Sequence, residues 1–164
     1  MSFGFQKSLF EATLYVKKTN NDILIISLYV DELLVTGSNA QQVEEFKQKM
    51  IQVFEMTNLG LMIFFLRMEI KQGKNEIFIF QKKYAKEILR KFHMKNCKPT
   101  TTPMNQKDKF NKENGTNRVD EEKFKSLIGC LMYLTTTRLD ILYAISLLSR
   151  FMHCPREIHL RVVK

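Results

Sequence analysis

The sequence predicts an α+β fold on three observations. Short β-branched runs separated by Asn- and Gly-bearing turns occupy the first half, one amphipathic helix interrupts them, and helical periodicity takes over from Gln81. In the opening segment, Thr13 to Lys17 and Ile23 to Val30 read as strands, and Thr19-Asn20-Asn21-Asp22 between them is turn chemistry. The second strand runs into Asp31-Glu32, after which Leu33-Leu34-Val35-Thr36 resumes an apolar strand before Gly37. A second tight hairpin therefore carries two carboxylates at its tip. Ser38 or Asn39 caps the helix that follows, with Gln41 or Gln42 completing a capping box, and Val43, Phe46, Met50 and Val53/Phe54 share one face. Asn58-Leu59-Gly60 ends that helix. Met62 to Lys71 and Glu76 to Phe80 then flank Gln72-Gly73-Lys74-Asn75 as a third hairpin.

From Gln81 the apolar period lengthens to that of a helix. Tyr84, Ile88, Leu89 and Phe92 line one face, while Lys82, Lys83, Lys86, Arg90 and Lys91 cover the rest. Pro99 and Pro103 bracket a Thr run, and 105–118 is polar, rich in Lys and Asn, and read as a linker. Asp120 then starts a helix with Phe124, Leu127, Ile128, Leu131 and Tyr133/Leu134 inward. Asp140 starts another with Ile141, Ile145, Leu148 and Met152, so the pair makes an α-hairpin.

The 164 residues, 45% of them hydrophobic, suffice for one ordinary domain with a small appendage. Lys and Arg number 26 against 17 Asp and Glu, a formal charge of +9 that points to an anionic partner. Nucleic acid is the first candidate, and a merely basic protein surface is the other reading. Cys97, Cys130 and Cys154 are odd in number and far apart, which disfavours a disulfide framework or a zinc ribbon and fits a reducing compartment. His153, Cys154 and His159 lie near one another in sequence, but a fourth ligand is missing and Pro155 interrupts them, so ordinary packing is the favoured reading over zinc. The start of the chain lacks a secretory signal pattern and no apolar run reaches membrane-spanning length. The expectation is an intracellular protein, cytoplasmic or nuclear, not secreted and without a membrane partner. Phe3, Phe5 and Phe10 begin abruptly and His159 to Lys164 stops within a helix-like pattern, which reads as a piece cut from something larger.

On local pattern alone, Asp31 and Glu32 fit either a hydrated hairpin tip or a pair of oxygen ligands for a hard cation. The wider sequence carries a resemblance. Leu28-Tyr29-Val30-Asp31-Glu32-Leu33-Leu34-Val35-Thr36-Gly37 is similar to the Tyr-x-Asp-Asp motif, with its flanks, of copia-type retrotransposon reverse transcriptases. Other segments resemble that family in the same order: Glu11-Ala12-Thr13-Leu14-Tyr15-Val16-Lys17, Phe54-Glu55-Met56 with Leu59-Gly60, and Phe65-Leu66-Arg67-Met68-Glu69-Ile70. Gln81-Lys82-Lys83-Tyr84-Ala85, Pro103-Met104, Gly129-Cys130-Leu131-Met132-Tyr133-Leu134 and Thr137-Arg138-Leu139-Asp140-Ile141 complete the series.

The resemblance implies part of the palm of a right-hand polymerase, built of β-hairpins with a packed helix, followed by a helical thumb- or connection-like segment. On that reading residues 1–80 are the partial palm, 81–104 a basic thumb-like helix and loop, 105–118 the polar linker, and 119–164 helices leading toward a ribonuclease H region. Asp31 and Glu32 are implied as catalytic metal ligands for Mg2+, and Phe65, Leu66 and Arg67 as a primer-grip-like strand. Lys82, Lys83, Lys86, Arg90 and Lys91 are implied contacts to a template–primer of RNA or DNA, with dNTP as co-substrate and the rest of a Pol polyprotein as partner. The sequence departs from the family at Glu32 for Asp, Arg67 for Gly, Asn58 for Asp and Leu139 for Pro. No segment before Tyr29 resembles the strand bearing the family's other metal-binding Asp, and Asp22 sits in a turn. The resulting expectation is an RNA-directed DNA polymerase fragment that is inactive alone. A non-catalytic basic nucleic-acid-binding module and the product of a decayed element are the alternatives. An incomplete palm sheet with an open edge also predicts poor solubility.

Overall fold

The computed structural model describes residues 4–100, 102–104 and 115–163, arranged as two compact units, Met1–Leu61 and Met62–Lys164. The first unit is an antiparallel sheet in the order β1 (Gln6–Lys7), β2 (Leu14–Thr19), β3 (Asp22–Tyr29) and β4 (Glu32–Gly37), covered on one face by helix α1 (Ala40–Val53). Asn20 takes φ +52° in the two-residue turn between β2 and β3, a backbone that asparagine tolerates because its short amide can bond locally. The strand alternation sends Leu24 and Ile26 toward α1. Ile26 pairs with Tyr15 on one side and Val35 on the other, so these neighbours share that face.

The first core consists of Leu24, Ile26, Phe46 and Met50, with Phe5, Tyr15, Leu33, Val35, Val43 and Met56 around it. Gly37 lies where β4 passes beneath the helix, and a Cβ there would stand 2.7 Å from the Ile23 carbonyl oxygen. Asn39 is the N-cap of α1, accepting from the Gln41 and Gln42 amides. Gln42 does not close a capping box. Its amide donates instead to the Asp22 carboxylate at 3.1 Å, which also accepts from Asn39 Nδ2 at 2.9 Å and Ser38 Oγ at 3.3 Å. The buried stripe of α1 ends at Met50. Val53 and Phe54, expected on that stripe, are both exposed, and Phe54 has already left the helix as an extended C-cap.

The second unit begins with a three-stranded sheet, β5 (Phe64–Phe65), β6 (Met68–Gln72) and β7 (Ile77–Phe80). The run from Met62 to Lys71 is therefore not one strand. Leu66 and Arg67 reverse it, with φ +46° and +59°. Helices α2 (Lys82–Lys91), α3 (Glu121–Leu134), α4 (Leu142–Ser149) and α5 (Glu157–Val163) follow.

Helix α3 is central because it carries two buried rows. Leu127 and Leu134 join Tyr84, Ile88 and Met94, while Phe124 and Ile128 join Ile145 and Leu148. Leu89, expected with Tyr84 and Ile88, is exposed because five residues of helix carry it well around from Tyr84. Asp120 caps α3 as its sequence predicts, accepting from the Lys123 amide. Asp140 does not cap α4. A 3-10 turn, Leu139–Ile141, precedes that helix, and Arg138 grips the Asp140 carboxylate through Nε at 2.8 Å and a terminal nitrogen at 2.7 Å. Of the predicted linker 105–118, residues 105–114 lie outside the described residues. Residues 115–118 run alongside the start of α5, where Arg156 donates to the Thr116 carbonyl at 2.6 Å and Arg118 bridges Arg156.

Among the described residues no helix is long and apolar enough to cross a membrane, and no group of three His, Cys, Asp or Glu is placed to hold a metal. His159 is fully enclosed, stacked on Phe151 with ring centroids 4.1 Å apart, and its Nδ1 accepts from the Arg156 amide at 3.0 Å. Burial, with the Arg156 charge as a lesser cause, holds its pKa below the ordinary imidazole value. A depressed folded pKa means that the His159 contribution to stability is complete above the unfolded value near 6.5 and is lost as pH falls through the lower folded value. Thermal unfolding followed by circular dichroism should show a midpoint that drops as pH falls below about 6.5 and levels off under the folded value, and His159→Gln should flatten the dependence. An unchanged slope in the variant would remove His159 as its source.

Candidate nucleic-acid and metal site

In the first unit the residues expected to bind metal sit at a chain reversal. Tyr29 pairs with Glu32, leaving Val30 and Asp31 as a two-residue loop. Val30 takes φ +49°, a backbone that crowds the Cβ of an L-residue and costs roughly 1–2 kcal/mol, more for a β-branched side chain. Its side chain is largely exposed, so the pairing of β3 with β4 enforces the turn, not any burial of the valine. Asp31 is thus at the tip and Glu32 is the first residue of β4. Alternation places Glu32 on the face opposite α1, since Leu33 and Val35 face the helix.

Both carboxylates are exposed. They offer the oxygen donors a hard divalent cation takes, but among the described residues no third ligating side chain joins them. The two alone do not make a closed metal site. Asp22 does not supply the missing ligand, because it begins β3 while Asp31 follows its end, roughly 23 Å away at the rise of an extended strand.

In the second unit Phe65 of the primer-grip-like residues ends β5, while Leu66 and Arg67 are a turn and not a strand. Leu66 and Arg67 are both left-handed, the backbone of a two-residue hairpin reversal that glycine or asparagine adopts without strain. A glycine, as in the motif that this segment resembles, would take this φ without strain. Here the arginine is held by its neighbours: its guanidinium meets the Glu87 carboxylate at 2.9 Å and lies 5.5 Å from the centroid of the Tyr84 ring. Two further motif residues act as fasteners. Glu69 accepts from the Lys83 amide at 2.7 Å and so caps the start of α2 from the neighbouring strand. Buried Gln81 accepts from the Thr137 hydroxyl at 2.8 Å.

The five cations of the basic helix divide. Lys83 Nζ lies 5.7 Å from the centroid of the Phe64 ring, and Lys91 Nζ donates to Ser126 Oγ at 2.9 Å, so both are braced on their own unit. Lys82, Lys86 and Arg90 are exposed and recur every fourth residue, a row on one side of α2 spaced by about 6 Å. An open cavity of about 590 Å3 lies beside this helix, lined by Arg67, Tyr84, Glu87, Ile88, Lys91, Cys130 and Tyr133. Within it the Tyr84 hydroxyl donates to the Cys130 carbonyl at 3.2 Å, and burial pushes the phenol up to about 12. The Tyr84–Cys130 contact joins two segments that resemble the family, a pairing the sequence does not show.

A family model described as reverse transcriptase (RNA-dependent DNA polymerase) matches residues 1–106. The chain belongs to the reverse transcriptase family. It is 32% identical over its whole length to the Retrovirus-related Pol polyprotein from transposon RE1 of Arabidopsis thaliana, of which it covers 11%. Over 98% of its length it is 31% identical to the Retrovirus-related Pol polyprotein from transposon TNT 1-94 of Nicotiana tabacum, covering 13% of that protein. It is also 37% identical over 133 residues, 80% of the chain, to an uncharacterized mitochondrial protein of Arabidopsis thaliana, of which it covers 55%. No solved structure matches the chain. The copia-type resemblance read from the ordered motifs is therefore supported by these transposon relatives, and this reverse transcriptase chain corresponds to a small part of their Pol polyproteins.

The strain at Val30 gives a direct test. Val30→Gly should raise the free energy of unfolding by roughly 0.5–1 kcal/mol, since glycine accepts the left-handed backbone. Urea unfolding followed by circular dichroism measures it, and a lower value would show that the tip is relaxed as it stands.

Proposed function

We propose that this chain is the primer-handling part of a retrotransposon reverse transcriptase, which grips the sugar–phosphate backbone of a template–primer and does not extend it alone. The first unit with β5–β7 corresponds to part of the palm on this reading, and α2 to the start of the thumb. The observation that carries the proposal is the row Lys82, Lys86 and Arg90, whose side chains are exposed on a helix that Glu69, Gln81 and Tyr84 anchor in place. Such contacts recognise phosphate and carry no base information. Asp31 is the proposed metal-binding carboxylate, with Glu32 beside it and Mg2+ as the ion. Glu32 is one methylene longer than the aspartate of the motif, which displaces its carboxylate by on the order of an ångström in a site where placement governs rate.

Two readouts on one preparation test this. Binding of a labelled primer–template should weaken with salt at a log–log slope of about −2.7, the value for three phosphate contacts, against about −4.5 if all five cations engaged. The triple variant Lys82→Ala, Lys86→Ala, Arg90→Ala should abolish most of the slope. Primer extension with dNTP and Mg2+ should give no product. Extension by the chain alone would overturn the silent reading, and salt-independent binding would overturn the phosphate reading.

A further inference from the structure

Leu66 and Arg67 form a reversal that their own side chains disfavour, since neither is Gly, Asn or Asp and both have positive φ. Something outside the turn must hold it. The Tyr133 hydroxyl, on α3 and 67 residues further along the chain, donates to the Leu66 carbonyl. The Tyr133 ring meets the Tyr84 ring edge-on, with centroids 5.2 Å apart and planes at 88°. Tyr84 in turn bonds the Cys130 carbonyl and lies beneath the Arg67 guanidinium, whose carboxylate partner Glu87 is on α2. The turn is thus clasped from α3 at its carbonyl and from α2 at its side chain. Tyr133 lies beyond residues 1–106, the span matched by the reverse transcriptase family model.

We propose that Tyr133 is a positioning residue. Its hydroxyl fixes the left-handed Leu66–Arg67 turn, and the helices after residue 119 thereby set where the hairpin stands relative to the cationic row of α2. The consequence for template–primer binding rests on the function proposed above. The geometry of the turn itself does not. Removing the hydroxyl while keeping the ring leaves the edge-on packing against Tyr84 intact and frees only the carbonyl. Arg67→Gly does the converse in part, since glycine relieves one of the two left-handed positions and the turn then leans less on the hydroxyl.

The experiment compares the full chain with Tyr133→Phe, Arg67→Gly and the double variant, by amide hydrogen exchange and by affinity for a labelled DNA primer–template. Tyr133→Phe should speed exchange at the amides of residues 65–68 about tenfold while those of α4 are unchanged, and should weaken binding several-fold. In the Arg67→Gly background the same substitution should weaken binding by a clearly smaller factor than in the unsubstituted chain, a non-additivity that lost core packing would not produce. Unchanged exchange in residues 65–68 would overturn the assignment. So would faster exchange with affinity unaltered, or an equal loss of affinity in both backgrounds. If the unsubstituted chain binds no duplex, the functional reading fails, while the exchange data still decide whether Tyr133 holds the turn.

Discussion

Each unit carries candidate functional residues, Asp31 in the first and Leu66 with Arg67 in the second, at a two-residue chain reversal made by residues that resist it. Val30 in the first unit, and Leu66 with Arg67 in the second, all have positive φ without being glycine. A left-handed turn of this kind persists only where its surroundings determine it. For Val30 the determinant is the ladder between β3 and β4, six residue pairs from Leu24 with Gly37 to Tyr29 with Glu32. For Leu66 and Arg67 the strands are too short to do the same, since β5 has two residues. The restraint comes from α2 and α3 instead.

That difference explains why the helices matter to the hairpin. The row Leu127 and Leu134 packs α3 on α2, and the row Phe124 and Ile128 packs it on α4. With α3 fixed from both sides, its Tyr133 hydroxyl bonds the Leu66 carbonyl, and its Cys130 carbonyl holds the Tyr84 over which the Arg67 guanidinium lies. Arg67 shows how a substitution at a left-handed position is accommodated. The backbone cost of an arginine at this φ is offset in part by a guanidinium that pairs with Glu87 and stacks on Tyr84, although the ion pair is exposed and contributes modestly.

Much of the local structure was legible in the sequence. Asn39 and Asp120 announce the starts of α1 and α3, Asn20-Asn21 announces the first reversal, and the spacing of Phe124, Leu127 and Ile128 announces a buried helix face. The reversal at Leu66 was not legible, because Phe65-Leu66-Arg67-Met68 has the composition of a strand and lacks turn chemistry. Asp140 misled for a different reason: a helix cap and an arginine compete for one carboxylate, and Arg138 wins by gripping it with two nitrogens. The division among the five cations of α2 was hidden. Only contacts across the unit show that Lys83 and Lys91 are engaged while Lys82, Lys86 and Arg90 face outward. The ordered motifs located the fasteners Glu69, Gln81 and Tyr84 without revealing that they bond to Lys83, Thr137 and Cys130.

The central claim is that α2 meets the nucleic-acid backbone through that outward row. Photo-crosslinking of the full chain to a primer–template, with the joined peptides mapped by mass spectrometry, tests it most directly. The account predicts adducts concentrated in residues 82–90. Adducts confined to α4 and α5, or none above those of an uncharged competitor, would contradict it.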